Sequence, residues 1–337
     1  MHNRGVRIES IWKLESPADR AISALLLPIS WLYALGWNLY KLIYRMGLKS
    51  QKRIEGLKIV CVGNLEVGGV GKTPVAFAIA QLLMRRNHRV CLGMSAYGSP
   101  CSEGSSLAPD IALDPARYGD EPAMVRRKLP TLPLVLGRDR VGAARIARQN
   151  GFEIMVMDDG FQHLPLFRDC DLLVENPERR NSRCLPAGPL REPASGASRA
   201  KASLSLSCSK PEACFEFRRD YSGFQSPDGS QSFPLDYLRG EEVDVLCAIG
   251  QPENFIAAVK GLSAAVCQVF VLKDHDPLAT LPPAFTQSSR KKVVTEKDAV
   301  KLVANGANLS DVFVLIMSVQ FCQQERFESW LAKELSL

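Results

Sequence analysis

Apolar and polar positions along this chain fall into a repeated order of strand-length runs followed by helical patterns. Strand-like apolar runs occupy 57–62, 89–94, 132–136 and 152–157, and helix-period patterns occupy 75–84 and 141–149. Strands that alternate with helices predict a parallel sheet covered by helices. In such folds ligands bind at the carboxyl ends of the strands. We therefore expect an α/β fold whose site lies where these runs end.

The character of the chain changes after residue 201. The stretch 203–231 is serine-rich and then strand-like, and its Pro227-Asp228-Gly229 turn predicts a β-hairpin linker. A second α/β pattern follows, with strands at 243–249, 266–272, 292–295 and 313–317 and helices at 254–262, 298–304 and 322–335. We therefore expect a first domain at 54–213, a hairpin linker at 214–240 and a smaller α/β domain at 241–337.

The segment from Ala21 to Tyr40 contains no Asp, Glu, Lys or Arg and is long enough to span a membrane. A helical wheel nevertheless separates a polar stripe from an apolar stripe. The polar stripe holds Ser23, Ser30, Asn38, Lys41 and Arg45, and the apolar stripe holds Leu25, Leu32, Leu39 and Ile43. Such a helix lies in a bilayer interface with its bases at anionic headgroups. We expect residues 1–53, with Pro28 near the effective helix start, to bind a membrane surface peripherally; a single span and a soluble core helix are the alternatives.

Composition excludes several classes of protein. With 337 residues the chain can bury two cores, and its net charge of +6 includes no dense basic tract with interleaved aromatics, which argues against nucleic acid as the main partner. Its ten cysteines are scattered singly, with neither a C-x-x-C pair nor zinc spacing. We expect reduced, buried thiols in a cytosolic compartment.

The segment Val67-Gly68-Gly69-Val70-Gly71-Lys72-Thr73-Pro74 lies between the first strand-like run and the first helical pattern. Glycines let backbone amides close around phosphate oxygens, and a following helix N-terminus adds partial positive charge. Lys72 can reach the β- and γ-phosphates, and the Thr73 hydroxyl can bind Mg²⁺. The strict pattern has glycine where this chain has Glu66, so an ordinary glycine-rich turn is the alternative. The context favours a nucleoside triphosphate site.

Two carboxylates, Asp158 and Asp159, end the strand-like run 152–157. Acids at the end of a strand downstream of a phosphate loop are expected at the metal ion of a phosphoryl-transfer site. Paired carboxylates in one cleft are costly without a cation. Either residue can hold Mg²⁺ directly or through water.

Seven segments, which include the glycine-rich loop and the paired acids, carry a resemblance to a known family. In chain order they are Gly63-Asn64 with the glycine-rich loop to Pro74, Tyr118-Gly119-Asp120-Glu121-Pro122, Gly137-Arg138-Asp139-Arg140, 158–163 (DDGFQH), 185–193 (LPAGPLREP), Asp274-His275 and 295–301 (TEKDAVK). With these the chain resembles, over nearly its whole length, the tetraacyldisaccharide 4′-kinase family. The resemblance implies ATP-dependent phosphorylation of the 4′-hydroxyl of a tetraacylated glucosamine disaccharide 1-phosphate in lipid A synthesis. It also implies a location at the cytoplasmic face of the bacterial inner membrane.

The same resemblance implies roles for individual residues. Asp120 and His275 would form a base unit, in which the carboxylate takes the proton or orients the imidazole that does, with Lys72 as the third catalytic residue. Glu192 would join Thr73, Asp158 and Asp159 on the metal side. The resemblance further implies phosphate or substrate contacts for Arg138, Arg140 and Arg191, nucleotide- or metal-proximal positions for Gln162 and His163, and a place near the adenine or the hinge for 295–298.

Two departures from the family pattern stand out. Glu66 replaces the usual Thr or Ser, and a carboxylate beside a triphosphate repels it unless it points away. Met94-Ser95-Ala96-Tyr97-Gly98 lacks the arginine of the family's Ser-Arg-Gly-Tyr-Gly element. The remaining alternatives are another membrane-associated P-loop ATPase or GTPase, and a nucleotide-binding protein with a decayed site.

Overall fold

The computed structural model describes residues 8–177, 179–208 and 214–337. The first seven residues of the predicted segment 1–53, and residues 209–213 at the end of the predicted first domain, lie outside the described residues. The helices are α1 (Ile8–Lys13), α2 (Pro17–Leu25), α3 (Leu27–Arg45), α4 (Lys72–Arg85), α5 (Pro115–Tyr118), α6 (Asp120–Lys128), α7 (Arg140–Gln149), α8 (Pro252–Gly261), α9 (Pro283–Thr286), α10 (Glu296–Ala304) and α11 (Gln324–Leu335). The strands are β1 (Lys58–Gly63), β2 (Val90–Met94), β3 (Ser106–Leu107), β4 (Leu134–Leu136), β5 (Ile154–Asp158), β6 (Cys170–Val174), β7 (Ala202–Ser205), β8 (Cys214–Gln225), β9 (Ser232–Phe233), β10 (Glu242–Cys247), β11 (Ala265–Val271), β12 (Lys291–Thr295) and β13 (Val312–Phe321).

One mostly parallel sheet runs through the described chain in the order β11-β10-β12-β13-β8-β7-β6-β1-β5-β2-β4-β3, with β9 paired to β8. The long strand β8 joins the first half of the molecule, which contains β1–β7, to the second half, which contains β10–β13. It pairs in parallel with β7 and antiparallel with β13. The predicted α/β class and the parallel, helix-covered sheet are confirmed. The predicted linker is the middle of this sheet, and the domain boundaries stay a prediction.

Strand register brings the predicted site segments to one edge. β1 and β5 pair in parallel with Val62 opposite Asp158, so the phosphate-loop candidate and the paired acids leave the sheet side by side. β1 and β5 are buried along almost their whole length, as a strand covered on both faces requires. The sequence missed β3 and β6; β3 has only two residues, both exposed.

Four apolar clusters cover the two faces of the two halves of the sheet. The cluster under α4 also includes Phe327, Leu331 and Leu335 of α11, so the C-terminal helix packs against the first half of the molecule. Aromatic rings close this contact, with Phe321 stacked on Phe327 at 4.1 Å between ring centroids. The two halves therefore share a core as well as a sheet.

The predicted N-terminal helix is divided into α2 and α3, which are bent by 53° relative to each other, and the short helix α1 precedes them. Pro28 lies in the first turn of α3, where its missing N–H is tolerated, so the break falls just before it. No single described helix is both long and apolar enough to cross a bilayer; the bent pair meets that standard only when taken together.

Three residues of the polar stripe, Ser23, Ser30 and Lys41, are buried against the protein, so the expectation that the bases reach headgroups is wrong for Lys41. Asn38 and Arg45 are exposed, and for Arg45 that expectation stays a prediction. The hydroxyls of Ser23, Ser30 and Tyr33 donate to backbone carbonyls of segment 184–191 at 2.5–2.9 Å. A helical wheel shows which residues share a face but not what covers that face. The opposite, apolar stripe is exposed, with Leu25 at 79% and Leu32 at 70%.

Cys208 and Cys214 are joined by a disulfide. The expectation of ten reduced thiols is therefore wrong for this pair. The two residues lie six positions apart on either side of 209–213, a spacing that carries no recognisable motif. The other eight cysteines are free, and most of them are buried as expected.

Candidate active site

The glycine-rich loop between β1 and α4 has the geometry of a phosphate cradle. Gly68 and Gly71 have φ angles of 115° and 86°, a region that side chains with a Cβ avoid, so glycine is required at both turns. Gly71 is the N-cap of α4, and no side chain caps that helix end. The loop lines a cavity of about 1130 Å³ whose other wall is formed by 249–254 and 271–274. An anion in this cavity would meet the positive end of α4.

Lys72 reaches one of the paired acids. Its Nζ lies 3.7 Å from Asp159 Oδ2, and the guanidinium of Arg191 donates to both Asp159 oxygens at 2.7 and 2.9 Å. Burial raises the pKa of Asp159, but the charges of Lys72 and Arg191 together outweigh burial and hold that pKa below its ordinary value. The structure therefore brings these three predicted residues together, with two cations around one carboxylate.

Thr73 and Asp158 form the second contact of the loop with β5. The Thr73 hydroxyl donates to Asp158 Oδ2 at 2.6 Å, while the buried Oδ1 has no hydrogen-bond partner among the described residues. Burial, reinforced by the charge of Glu121, raises the pKa of Asp158 to about 7. A hydroxyl beside a desolvated carboxylate with an open oxygen fits Mg²⁺, which prefers oxygen ligands and would relieve this cost. The residues present thus suit a Mg²⁺ ion.

Asp120 and His275, 155 residues apart in the chain, lie in contact. Asp120 begins α6, and His275 Nδ1 is 3.2 and 3.1 Å from its two carboxylate oxygens. The hydrogen bond to Asp120 raises the pKa of His275. Burial opposes the shift of Asp120, but the bond from His275 and the charge of Lys297 hold the pKa of that carboxyl below its ordinary value. The predicted base unit therefore exists as a geometric pair.

Glu192 has the contacts of an ion pair, and its predicted place on the metal side stays a prediction. Its carboxylate is fully buried, receives hydrogen bonds from two Arg199 nitrogens at 2.7 Å and accepts another from Gln162 at 3.1 Å. Among the described residues no group of three or more His, Cys, Asp or Glu is arranged to hold a metal ion. The contacts shown for Glu192 are those of an ion pair that ties down the loop.

Three of the residues predicted to contact phosphate, substrate or metal, Arg140, Arg138 and His163, lie in different environments. Arg140 is buried and donates to the backbone carbonyls of Asp158 and Asp159 at 2.8 and 3.2 Å, so it fixes the turn after β5. Arg138 is exposed, with its guanidinium 5.0 Å from the ring centroid of Tyr97. His163 is half-buried; burial lowers its pKa, and its Nε2 has no partner in the described part of the chain.

Both departures from the family pattern have a local account. Glu66 is buried, and its carboxylate lies 3.4 Å from Arg179 and 3.3 Å from the amide of Asn176. Burial raises the pKa of Glu66 despite these partners. Arg179 and Asn176 thus partly compensate the charge of Glu66, which lies at the wall of the cavity that the loop lines. At the other departure, Arg138 places a guanidinium beside Tyr97 of the segment that lacks the family arginine.

Sequence reasoning missed two charged residues of the site. Glu121 follows Asp120 directly, and its charge acts on Asp158. Lys297 lies 3.7 Å from Asp120 Oδ2 and 3.2 Å from Asp274 Oδ1, beside the base unit; the place of its segment near the adenine or the hinge stays a prediction. The segment 295–301 was visible as a motif, but no spacing rule places the start of α10 against α6.

The fold and the site define a class. A parallel sheet with a strand, glycine turn and Lys-Thr helix, and with acids at the end of the adjacent strand, is a P-loop nucleotide-binding protein of the phosphoryl-transfer type. Comparison with known proteins identifies the family. The family model for tetraacyldisaccharide-1-P 4′-kinase (LpxK) matches residues 22–336. The chain therefore belongs to the tetraacyldisaccharide 4′-kinase family, and the resemblance drawn from its motifs is confirmed.

Individual relatives agree with this assignment. A tetraacyldisaccharide 4′-kinase of Desulfatibacillum aliphaticivorans is 31% identical, with 98% of each chain covered. Another from Halorhodospira halophila is 34% identical, with 87% of each chain covered. The crystal structure of LpxK from Aquifex aeolicus in complex with ATP has a TM-score of 0.80 and 27% identity, covering 93% of this chain and 99% of that one.

Proposed function

We propose that this protein transfers the γ-phosphoryl group of ATP to the 4′-hydroxyl of a tetraacylated glucosamine disaccharide 1-phosphate, giving the 1,4′-bisphosphate. Family membership supports the reaction, and the relative solved with ATP supports the nucleotide. The observation that carries the proposal is the contact of Asp120 with His275, next to Glu121, whose charge acts on Asp158 beside Thr73 of the phosphate loop. A base unit beside a phosphate cradle is what transfer to an alcohol requires.

The nucleotide site is built from the glycine-rich loop. Residues 67–74 surround the phosphates, and Lys72, held near Asp159 in the structure, turns toward the β- and γ-phosphates when ATP is bound. Arg191 then remains on Asp159, so this carboxylate does not repel the incoming phosphates. Thr73 and Asp158 would hold Mg²⁺, which would neutralise charge on the transferred group.

The base unit acts on the sugar. His275 Nδ1–H donates to Asp120, which leaves Nε2 able to accept the proton of the 4′-hydroxyl as its oxygen attacks the γ-phosphorus. The bond from the γ-phosphorus to the bridging oxygen breaks, and ADP leaves with that electron pair. Because His275 lies on the second half of the molecule and Asp120 on the first, the pair is intact only when the cleft is closed.

The lipid substrate is met at a membrane surface. The exposed side of α2 and α3 is lined by apolar residues, namely Leu25, Ile29, Trp31, Leu32, Leu35 and Leu39. Their opposite side is hydrogen-bonded to segment 184–191, which ends at Arg191 and is followed directly by Glu192. We place these helices in the interface of the bacterial inner membrane, with the active site on its cytoplasmic face. An acylated disaccharide can then reach the cleft without leaving the bilayer.

The test is transfer of labelled γ-phosphate from ATP to the tetraacyl disaccharide 1-phosphate in detergent micelles. Asp120→Ala and His275→Ala are compared with the parent, and Glu153→Ala, on an exposed strand end, is the matched control. We expect product with the parent and control and a loss of at least about a hundredfold in both site variants. Full activity in either site variant would contradict the proposed base unit.

A further inference from the structure

The ammonium group of Lys297 lies at the centre of the contact between the two halves. Its Nζ is 3.2 Å from Asp274 Oδ1, 3.4 Å from His275 Nε2 and 3.7 Å from Asp120 Oδ2. Glu121 Oε1 is 3.8 Å away on the same side as Asp120. The side chain is only 12% exposed, so these interactions are screened weakly by water. One buried cation therefore contacts acids from both halves and the imidazole between them.

We propose that Lys297 is a positioning residue of the phosphoryl-transfer site: it holds Asp120 and Glu121 of α6 against Asp274 and His275 and opposes protonation of the imidazole at Nε2. An ammonium has donors and no acceptor, so a contact to Nε2 is favourable only when that nitrogen carries a lone pair. The incoming hydroxyl replaces the ammonium at Nε2. The kinetic part of this inference rests on the proposed function.

The neighbouring lysine has a different environment. Lys301, one helical turn further along α10, lies 2.8 Å from Asp298 and 4.0 Å from Asp120. Its charge is thus shared mainly with its own helix. The charged groups shown to act on the imidazole are Asp120 from α6, Asp274 from its own turn and Lys297 from α10. Glu121 of α6 contacts Lys297, and Lys301 of α10 lies near Asp120. Among them Lys297 alone is shown within 3.5 Å of Nε2.

Charge balance gives the direction of the expected change. The positive charge of Lys297 lowers the pKa of both Asp120 and His275, against the effects that raise the latter. Without it, the charges of Asp120 and Asp274 act on the imidazole with less compensation, and the pKa of His275 rises further. At pH 7 a larger fraction of the imidazole is then protonated at Nε2 and cannot accept a proton. The acid limb of the pH–rate profile should move to higher pH.

The test needs no lipid for its first readout. ¹⁵N-histidine NMR of the full-length protein follows the pH titration of its four histidines, with the His275 signal identified from His275→Gln. Lys297→Met should raise the titration midpoint of His275 by about one pH unit. Lys297→Arg, which keeps the charge, should restore most of the midpoint, and Lys260→Met on exposed α8 should leave it unchanged.

The second readout is kinetic. Lys297→Met should lower kcat at pH 7 by about tenfold or more, leave the KM for ATP near the parental value and shift the acid limb upward. Lys297→Gln serves as a second neutral variant if Lys297→Met does not fold. An unchanged His275 midpoint in a folded neutral variant would overturn the inference. A shifted midpoint without any lipid phosphorylation by the parent would instead contradict the proposed function and leave the charge-setting role of Lys297 standing.

Discussion

Glu192 can be a metal ligand or the partner of an ion pair, and a variant that neutralises its charge distinguishes these two roles. The carboxylate is fully buried and receives two hydrogen bonds at 2.7 Å from Arg199 and one at 3.1 Å from Gln162. A carboxylate that served only to bind a cation would be destabilising in metal-free protein. One that balances a guanidinium would be stabilising. The sign of the change in unfolding free energy therefore decides between them.

The magnitude follows from burial on each side of the pair. Removing one member of a buried ion pair costs ~3–5 kcal/mol, because the other charge is left without compensation. Arg199 is 20% exposed and can regain part of its hydration. Glutamine also keeps the volume and one acceptor oxygen of Glu192. We therefore expect Glu192→Gln to lower the unfolding free energy by about 2–3 kcal/mol.

The assay is urea unfolding followed by tryptophan fluorescence, in EDTA and without nucleotide. Glu153→Gln is the matched control, because Glu153 pairs with Arg89 on the surface, where loss of an ion pair costs at most about 1 kcal/mol. The double variant Glu192→Leu with Arg199→Met should lose less stability than Glu192→Gln, since no charge is left unpaired. Unchanged or increased stability of Glu192→Gln would refute the ion-pair account.

Three further outcomes test other parts of the structure. Gly63 ends β1 at the start of the glycine-rich loop, and a Cβ added there would lie 2.4 Å from the Cβ of buried Phe161. Gly63→Ala should therefore destabilise the protein by ~1–3 kcal/mol and weaken ATP binding; normal ATP affinity measured by calorimetry would contradict this. Leu32→Asp on the exposed face of α3 should reduce binding to anionic phospholipid vesicles at least about tenfold in a flotation assay, whereas Ile111→Asp, equally exposed elsewhere, should not; equal loss in both would argue against a specific membrane face. Lys72→Ala should abolish most phosphoryl transfer and retain vesicle binding, and joint loss of both would show that the two functions are not separable.

Periodicity was sufficient to predict most of the sheet. Buried strands such as β1 and β5 carry uninterrupted apolar runs, and their parallel pairing places Gly63 and Asp158 at one edge without further information. Periodicity could not predict contacts between segments that lie far apart in sequence. Nothing in the spacing of Asp120 and His275 shows that a turn after β11 folds back onto the start of α6. The family resemblance supplied that pair, and the structure supplied its geometry.

Two local details have the same origin. Lys41 was assigned to headgroups together with its polar stripe, because the wheel reveals a face and not its neighbour, which for Ser23 and Ser30 of that stripe is segment 184–191. Segment 295–298 was predicted near the adenine or the hinge, but its motif did not show that Lys297 contacts Asp120. These side chains face protein groups that lie far away in sequence. Partner identity is a property of the tertiary fold, so neither pattern alone could determine it.

The most direct test of the central claim is ³¹P NMR of the lipid product after incubation of the parent protein with ATP, Mg²⁺ and the tetraacyl disaccharide 1-phosphate. We predict a second phosphate monoester signal that correlates with the proton at the 4′ position, and its absence with Lys72→Ala. A parent protein that hydrolyses or binds ATP but leaves the 1-phosphate as the sole lipid phosphorus signal would contradict the account.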